Sequence, residues 1–199
     1  MSSRETILKA INANKPALVP LPSLQFKTSS NHEQSVLEFM DVAEKIGAAI
    51  SRVNTIRDVN SALQSAISNR KYIVNTIPSI GEVNQEINVG NGAAFLEKID
   101  QAYVMGTLGV AENGCIWVTE KSMINRLLPF ICQHLVLVIC IENIVATMHQ
   151  AYDVIKIDEE GYGVFIAEPS KTADIEQSLV IGAHGARSVE IILVGNYQV

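Results

Sequence analysis

The chain has 199 residues, of which 48% are hydrophobic and 18% are charged, and its formal net charge is −6. A chain of this length can bury enough apolar surface to fold without a metal or a disulfide. Its acidic balance, with no cluster of Lys and Arg along any predicted helix, excludes the electrostatic pattern of a nucleic-acid-binding protein and gives no reason to expect binding to anionic membranes. Charged residues are fewer than in an average domain, which is compatible with extensive buried sheet or a homo-oligomer contact.

Helical and irregular segments are predicted at the N-terminus. Ser2 and Glu5 have the spacing of a capping box, which predicts a short first helix. Three prolines between residues 14 and 30 forbid a continuous helix and predict a loop. We therefore expect an N-terminal helix and proline-containing arm over residues 1–30, followed by a single α/β domain over residues 31–199.

Two amphipathic helices and a strand are predicted next. Apolar residues recur at intervals of three and four from His32 to Ala49 and again over about Ile56 to Ser68, which is the period of a helix with one buried face. Lys71 to Ile77 is a short β-branched run closed by Pro78, which predicts a strand. The polar stretch from residue 79 to 92 is predicted to be irregular.

The second half alternates between strand-like and helix-like segments. Ala102–Ala111 and Cys115–Thr119 flank Asn113 and Gly114, and an Asn-Gly pair is the strongest short signal for a β-hairpin because both residues tolerate positive φ. The remaining predicted elements are a strand at Leu135–Ile141, a helix at Asn143–Tyr152, a strand at Gly163–Ala167, a helix at Thr172–Ile181 and a strand at Val189–Val194. This order is typical of right-handed crossovers and a largely parallel sheet, so the predicted fold class is α/β.

Cysteine usage and hydropathy indicate a reducing compartment. Cys115, Cys132 and Cys140 are an odd number without CxxC spacing, so neither a disulfide framework nor a zinc or iron-sulfur site is expected within this chain. The first residues lack the apolar run of a signal peptide, and the longest apolar stretch, Leu135 to Ile141, is too short to span a bilayer. We expect a cytoplasmic protein with no membrane insertion.

The first candidate site follows the strand predicted at Gly163–Ala167. In parallel sheets, ligands bind beyond the carboxyl ends of the strands, where helix N-termini present free amides. Ser170 or Thr172 could cap the predicted helix, Lys171 adds a positive charge, and the amides could hold a carboxylate or phosphate. The alternative is ordinary capping beside an exposed lysine.

Two loops supply further candidates. Gly182 is predicted to end the helix in the left-handed conformation, which leaves His184 in the loop before the last strand, and an imidazole can serve as a general acid or base near neutral pH. In the hairpin, Glu112 could act as a nucleophile or base and Asn113 could donate to an oxyanion, although an Asn-Gly turn needs no ligand to explain it. No Walker A, GxGxxG, HExxH or GxSxG motif is present.

Three blocks of the second half together resemble the lactate-utilisation (LUD) domain family, most closely its lactate utilisation protein C type. The resemblance covers about Ala102 to Val194 and is most specific in its last block. The blocks are Gly109–Cys115 (GVAENGC), then Arg126–Pro129 (RLLP) with His134 and Ile144-Val145, and finally Pro169–Glu176 (PSKTADIE) with Gly182–Arg187 (GAHGAR).

The resemblance implies a three-layer fold like that of the isomerase and CoA-transferase superfamily (NagB/RpiA/CoA transferase-like). It also implies a role in oxidising L-lactate to pyruvate beside iron-sulfur partner subunits, with no cofactor bound by this chain itself. The candidate site then has Glu112 and His184 in catalytic roles and no metal ligand. Its ligand-binding residues are Asn113, Gly114, Arg126, His134, Ser170, Lys171, Thr172, Asp174, Glu176, Gly185 and Arg187.

Several positions depart from the family pattern. Asn113 and Cys115 stand where the family usually has Thr, Glu168 where it usually has Gly, and Ala186 where it usually has Pro. A carboxylate at 168 should weaken anion binding by like-charge repulsion unless Lys171 or Arg187 offsets it.

Two functions remain open from the sequence. One is an accessory or assembly component of L-lactate oxidation. The alternative is an enzyme or ligand-binding module that acts on a small anionic metabolite, a CoA thioester or sugar phosphate, in a CoA-transferase-like pocket. Both depend on the expectation that the hairpin, the loop after Pro169 and the His184 loop converge on one pocket.

Overall fold

The computed structural model describes residues 2–20, 22, 31–69, 72–81, 87–175 and 178–196. Residues 21 and 23–30 of the predicted N-terminal loop, Lys71 of the predicted strand and residues 82–86 of the predicted irregular stretch lie outside these ranges. No helix in the described ranges is both long and apolar enough to cross a membrane.

The elements alternate along the chain. The helices are α1 Ser3–Ala13, α2 His32–Ile46, α3 Ile56–Ser68, α4 Ala93–Leu96, α5 Glu120–Met123, α6 Leu128–Ile131, α7 Met148–Val154 and α8 Ile157–Glu160. The strands are β1 Ala49–Thr55, β2 Ile73–Asn75, β3 Gln101–Met105, β4 Leu108–Val110, β5 Cys115–Thr119, β6 His134–Cys140, β7 Ile144–Val145, β8 Gly163–Ile166, β9 Lys171–Ile175, β10 Ser178–Ile181 and β11 Ser188–Asn196.

A parallel sheet forms the centre of the molecule. Its order is β1-β11-β6-β3-β2, and every neighbouring pair is parallel. A second sheet has the order β7-β4-β5-β8 and contains the predicted Asn-Gly hairpin as the antiparallel pair β4–β5. The strand β8 therefore belongs to this second sheet, and β9 and β10 form a separate antiparallel pair.

Alternating side chains of the central strands build two cores. Leu135, Leu137 and Ile139 of β6 pack on one side with α2 and with β5 of the second sheet. Val136 and Val138 of the same strand pack on the other side with α3. Because successive strand residues point to opposite faces, one continuous apolar run fills both cores. The result is a three-layer α/β fold, which confirms the predicted fold class; the domain division at residue 30 and the relation to the CoA-transferase superfamily stay predictions.

The predicted first helix and the helix at Ile56–Ser68 are confirmed. Ser2 and Glu5 make both hydrogen bonds of the capping box that begins α1. The helix predicted from His32 instead ends at Ile46, because Gly47 takes a left-handed φ of 105°. The chain then enters β1, a strand that the sequence did not reveal, since as an edge strand it leaves most of its residues exposed.

The strand predicted at Ala102–Ala111 is two strands in different sheets. The amide of Gly106 donates to the Val138 carbonyl of the central sheet at 2.8 Å, and the next amide, of Thr107, donates to the Trp117 carbonyl of the second sheet at 2.9 Å. The chain thus changes sheet between two consecutive residues within one apolar run.

Both helices predicted in the last third need correction. The one at Asn143–Tyr152 begins only at Met148, after β7, where Thr147 and Gln150 form a capping box. The one at Thr172–Ile181 is wrong for the described residues: β9 and β10 form an antiparallel pair there, with Thr172 opposite Val180, and residues 176 and 177 lie outside the described ranges. These β-branched residues fit a pleated strand better than a helix.

Candidate functional site

A cavity of about 330 Å³ lies between the loop after β8 and the loop before β11. Small and polar residues of the two loops form its walls, and apolar residues of the central sheet form its floor. The lining includes Glu168 and Ser170 of the first loop, Lys171 and Thr172 at the start of β9, and His184, Gly185 and Ala186 of the second loop, with Leu135 and Val189 of the central sheet and Phe130 of α6. The structure therefore brings together five of the predicted site residues.

The cavity lies at the amino ends of the central strands. Leu135 and Val189 are the second residues of β6 and β11, which are parallel neighbours. The expectation of a site beyond the carboxyl ends of the strands is therefore wrong for this cavity. It followed from placing a helix after β8, where the structure has β9 instead.

Hydrogen bonds tie the two loops together around Ser170. The Ser170 amide donates to the Ala186 carbonyl at 2.9 Å, and the Gly182 amide donates to the Ser170 carbonyl at 2.9 Å. The His184 amide donates to Ser170 Oγ at 3.3 Å. The predicted cradle of free helix amides is thus absent, because these amides already have partners and no helix begins here. Gly182, expected to end that helix, takes a φ of 78° between β10 and the second loop.

The side chains left to meet a ligand are hydroxyls and an imidazole. Thr172 Oγ1 and His184 Nδ1 are 3.4 Å apart, and both residues line the cavity. Gly185 lies so close to Ser170 that a Cβ at 185 would be 3.0 Å from the Ser170 Cβ. The side chains of Ser170, Thr172 and His184 thus form a polar wall above the apolar floor of the cavity.

The lysine at the cavity is neutralised locally. Lys171 Nζ lies 2.5 Å from Glu168 Oε2, and it also donates to the carbonyl of Ile46 at the end of α2. The carboxylate that departs from the family pattern is therefore offset by Lys171. Arg187 is exposed and forms no ion pair with another described residue; only its backbone amide is held, by the Gln133 carbonyl at 2.8 Å.

The Asn-Gly hairpin does not line this cavity in the described structure. Glu112 Oε1 accepts a hydrogen bond of 2.8 Å from the Met148 amide, the first of α7. Asn113 Oδ1 accepts one of 3.2 Å from the Cys115 amide within the turn. Gly114 has a φ of 67°, and a Cβ there would lie 3.1 Å from the backbone nitrogen of Ala43, so both conformation and space require glycine. The two loops line this cavity and the hairpin does not, so the three segments do not converge on it as predicted.

Arg126 does not line the cavity and contacts Glu120 and Tyr162 instead. Its guanidinium makes two hydrogen bonds to the Glu120 carboxylate, at 2.7 and 2.9 Å, and lies 4.6 Å from the centroid of the Tyr162 ring. The hydrogen bonds to Glu120 raise the pKa of Arg126, and the same bonds lower the pKa of Glu120. Both side chains already have partners in this arrangement.

His134 faces the opposite side of the central sheet from the cavity. It is the residue before Leu135 in β6, and its Nδ1 is 2.7 Å from Ser188 Oγ, the first residue of β11. Gln101 of β3 is its other neighbour in register; Gln101 is 8% exposed, and its Oε1 has no hydrogen-bond partner among the described residues. Sequence reasoning missed Gln101 and Ser188, although a polar residue that opens an apolar strand was the available signal.

The other predicted site residues lie at or beyond the limits of the description. The backbone of Asp174 belongs to β9, and its side chain is outside the described part of the structure. Glu176 lies outside the described residues altogether.

The cysteines and acidic side chains do not form a metal site in the described part of the chain. Burial raises the pKa of Cys115 and of Cys132 to about 12, so both are protonated at neutral pH. A larger concavity of about 420 Å³ lies beside α2 and α7, and its Gln150 side chain already accepts from the amide of Ala146. His32 and Asp153 also line this concavity, but none of its lining residues was predicted as a site residue.

Comparisons with known proteins find similarity in the part of the chain that contains the cavity residues. Residues 99–194 match the family model of the LUD domain. Three curated relatives carry the name lactate utilization protein C. The one from Bacillus subtilis (strain 168) is 30% identical over 128 residues, the one from Bacillus velezensis 30% over 120, and the one from Oceanobacillus iheyensis 29% over 123. These matches cover 60%, 56% and 58% of this chain and 53%, 50% and 49% of the relatives.

The chain therefore spans about half the length of the curated relatives it matches. A crystal structure of a DUF162 family protein from Deinococcus radiodurans superposes with a TM-score of 0.61 at 18% identity, covering 84% of this chain and all of the other. This likeness shows a shared fold. The resemblance read from the sequence is confirmed: residues 99–194 match the family model of the LUD domain, and the chain is similar to proteins named lactate utilization protein C.

Proposed function

We propose that this protein is an accessory component of L-lactate utilization, in which lactate is oxidised to pyruvate with iron-sulfur partner subunits. The name of its curated relatives supports the process. The division of labour is supported by the cysteines, since Cys115 and Cys132 are buried and the three cysteines lack the spacing of a cluster motif. The redox centres would then belong to the partners.

We further propose that the cavity binds a small anionic metabolite. The observation that carries this proposal is that the most family-like block of the sequence, PSKT with HGA, is the block that lines the cavity. Hydroxyls of Ser170 and Thr172 and the imidazole of His184 can donate to a carboxylate. Leu135 and Val189 offer an apolar floor for a short alkyl group.

Size and charge favour a short monoanion over a CoA thioester or a sugar phosphate. A volume of about 330 Å³ is at the lower end for ligand pockets, so it can enclose a small acid but not a whole coenzyme A. Because Lys171 is paired with Glu168, it provides little net positive charge for a phosphate dianion. A short 2-hydroxy or 2-keto acid therefore suits the cavity better than a sugar phosphate.

Calorimetric titration tests the binding proposal. L-Lactate, pyruvate, inorganic phosphate and acetyl-CoA are titrated into the purified chain, and the two short acids are expected to bind more tightly than phosphate. Ser170→Ala and Thr172→Val should each weaken binding, while Ser68→Ala, on the exposed face of α3, should not. If Ser170→Ala and Thr172→Val bind the short acids as tightly as Ser68→Ala does, or if no acid binds at all, this cavity is not the ligand site.

Growth and co-purification test the role in lactate utilization separately. The gene is deleted in the organism of origin and restored with a tagged copy; slower growth on L-lactate, rescued by that copy, is expected together with recovery of iron-sulfur proteins on the tag. Normal growth of the deletion strain and a tag that recovers no iron-sulfur protein would reject the accessory role. Binding of a short acid in vitro could survive that outcome, so the two proposals fail independently.

A further inference from the structure

The first helix, α1, presents an apolar face that no described residue of its own chain buries. Ile7, Leu8 and Ile11 have exposed fractions between 46% and 59%, and no residue of α1 is buried. Their spacing places them on one side of the helix. Such a face is stabilised when it is removed from water against another apolar surface.

A second exposed apolar patch lies on α7 and α8. Tyr152, Val154 and Ile157 have exposed fractions between 51% and 59%. Tyr152 and Ile157 also line a concavity of about 440 Å³ together with Ile155. The patch is therefore both apolar and recessed, as in grooves that receive the apolar face of a helix.

The charges around the two apolar surfaces are complementary. α1 carries Arg4 and Lys9, while its Glu5 is already bonded to the Ser2 amide. The rim of the concavity has a net negative charge: α8 contributes Asp158 and Glu159, against one cation, Lys156, which pairs with Glu159 at 3.4 Å. A cationic helix with an apolar face thus matches a rim of net negative charge around an apolar groove.

We propose that α1 of one copy of this chain docks into the groove between α7 and α8 of a second copy, so that two chains exchange their first helices in a symmetric dimer. In the single chain α1 has no buried residue, so it does not occupy its own groove. The connection between Asn14 and Asn31 can span at most roughly 60 Å, which allows α1 to reach a neighbouring molecule. Twofold symmetry forms every contact twice, which makes exchange of a terminal element a low-cost route to a dimer.

Sedimentation velocity of the full chain and single-residue variants tests the proposal. The wild-type chain is expected to be a dimer at concentrations of about 50 μM. Leu8→Asp and Ile157→Asp should each weaken dimerisation at least ~100-fold, because each dimer loses two apolar contacts. Leu18→Asp is the control, since Leu18 is fully exposed and lies outside both surfaces.

Charge reversal then tests the pairing of the two surfaces. Lys9→Glu and Asp158→Lys should each weaken the dimer several-fold, and the double variant should recover most of the loss, because the attraction is restored with opposite signs. A double variant as weak as the sum of the single ones would overturn the proposed pairing. Circular dichroism of each variant checks that the domain is still folded.

A photo-crosslinker at position 8 separates exchange between copies from docking within one chain. Isotopically labelled and unlabelled copies are mixed before irradiation, and crosslinks from position 8 to residues 152–157 are identified by mass. Mixed-isotope crosslinks are expected. A wild-type chain that sediments as a monomer, or crosslinks that join only residues of the same copy, would reject the exchanged dimer.

Discussion

Replacing Glu168 by Gln should raise the affinity of the cavity for anions. In the structure, the Glu168 carboxylate lies 2.5 Å from Lys171 Nζ, and both residues line the cavity. The amide keeps the size of the side chain and removes its charge. Lys171 would then be a cation with no carboxylate beside it, still anchored by its hydrogen bond to the Ile46 carbonyl.

The size of the effect follows from distance and dielectric. Removing one negative charge roughly 5 Å from a bound anion changes its energy by about 0.8 kcal/mol in water and about 3 kcal/mol at an effective dielectric constant of 20. The side chains of Lys171 and Glu168 are 32% and 42% exposed, so solvent screens much of this interaction. An expected gain of about 1 kcal/mol corresponds to roughly fivefold tighter binding.

Calorimetry with pyruvate and inorganic phosphate at low salt measures the change. Lys171→Gln should weaken binding by a similar factor, because it leaves Glu168 uncompensated, and the double variant should return near wild type. Asp41→Asn, which breaks the exposed pair between Asp41 and Lys45, is the matched control. Unchanged affinity in Glu168→Gln, or a gain that persists undiminished in high salt, would refute the electrostatic reasoning.

Two further substitutions and one labelling experiment probe the second sheet and its hairpin. Gly163→Ala should lower the unfolding free energy by about 1–3 kcal/mol, because its Cβ would lie 2.2 Å from the Trp117 ring; calorimetry and tryptophan fluorescence measure this, with Gly92→Ala, which meets no atom within 4 Å, as control. Glu112→Gln should lower stability by about 0.5 kcal/mol by weakening the acceptor at the start of α7, and an unchanged melting temperature would contradict that structural role. Cys115 should resist iodoacetamide at pH 8 in the native protein and react after unfolding, because burial raises its pKa to about 12 and only the thiolate reacts; mass spectrometry follows the label.

Elements with a strong, local periodic signal were predictable from the sequence. The helix at Ile56–Ser68 has matching bounds in the structure, and the Asn-Gly pair is the turn of β4–β5. β6 follows its apolar run to within one residue at each end. In each case the period or the turn chemistry is contained within the segment itself, so no knowledge of its neighbours was needed.

Elements whose signal depends on distant partners were missed or misread. β1 is an edge strand, so its sequence AISRVNT shows no continuous apolar run. The segment from Lys171 to Ile181 contains apolar residues at intervals that also fit a helix, but β9 and β10 pair with each other beside a chain that Ser170 and Ala186 hold in place. Pairing between strands outweighed the local pattern, and the expected cradle of helix amides disappeared with the helix.

The same dependence on neighbouring strands explains why the predicted site residues His134 and Ser170 lie in two different places. His134 and Leu135 are consecutive, as are Ser188 and Val189, and strand pleating sends the members of each pair to opposite faces. Leu135 and Val189 form part of the cavity floor below Ser170 and His184, while His134 bonds to Ser188 on the α3 side. Site residues inferred from a family resemblance along one strand therefore include side chains on both faces of the sheet. The register of β6 beside β11 pairs His134 with Ser188 on one face and Leu135 with Val189 on the other. The cavity and the polar residues Gln101, His134 and Ser188 consequently lie at the same end of the central strands but on opposite faces of the sheet.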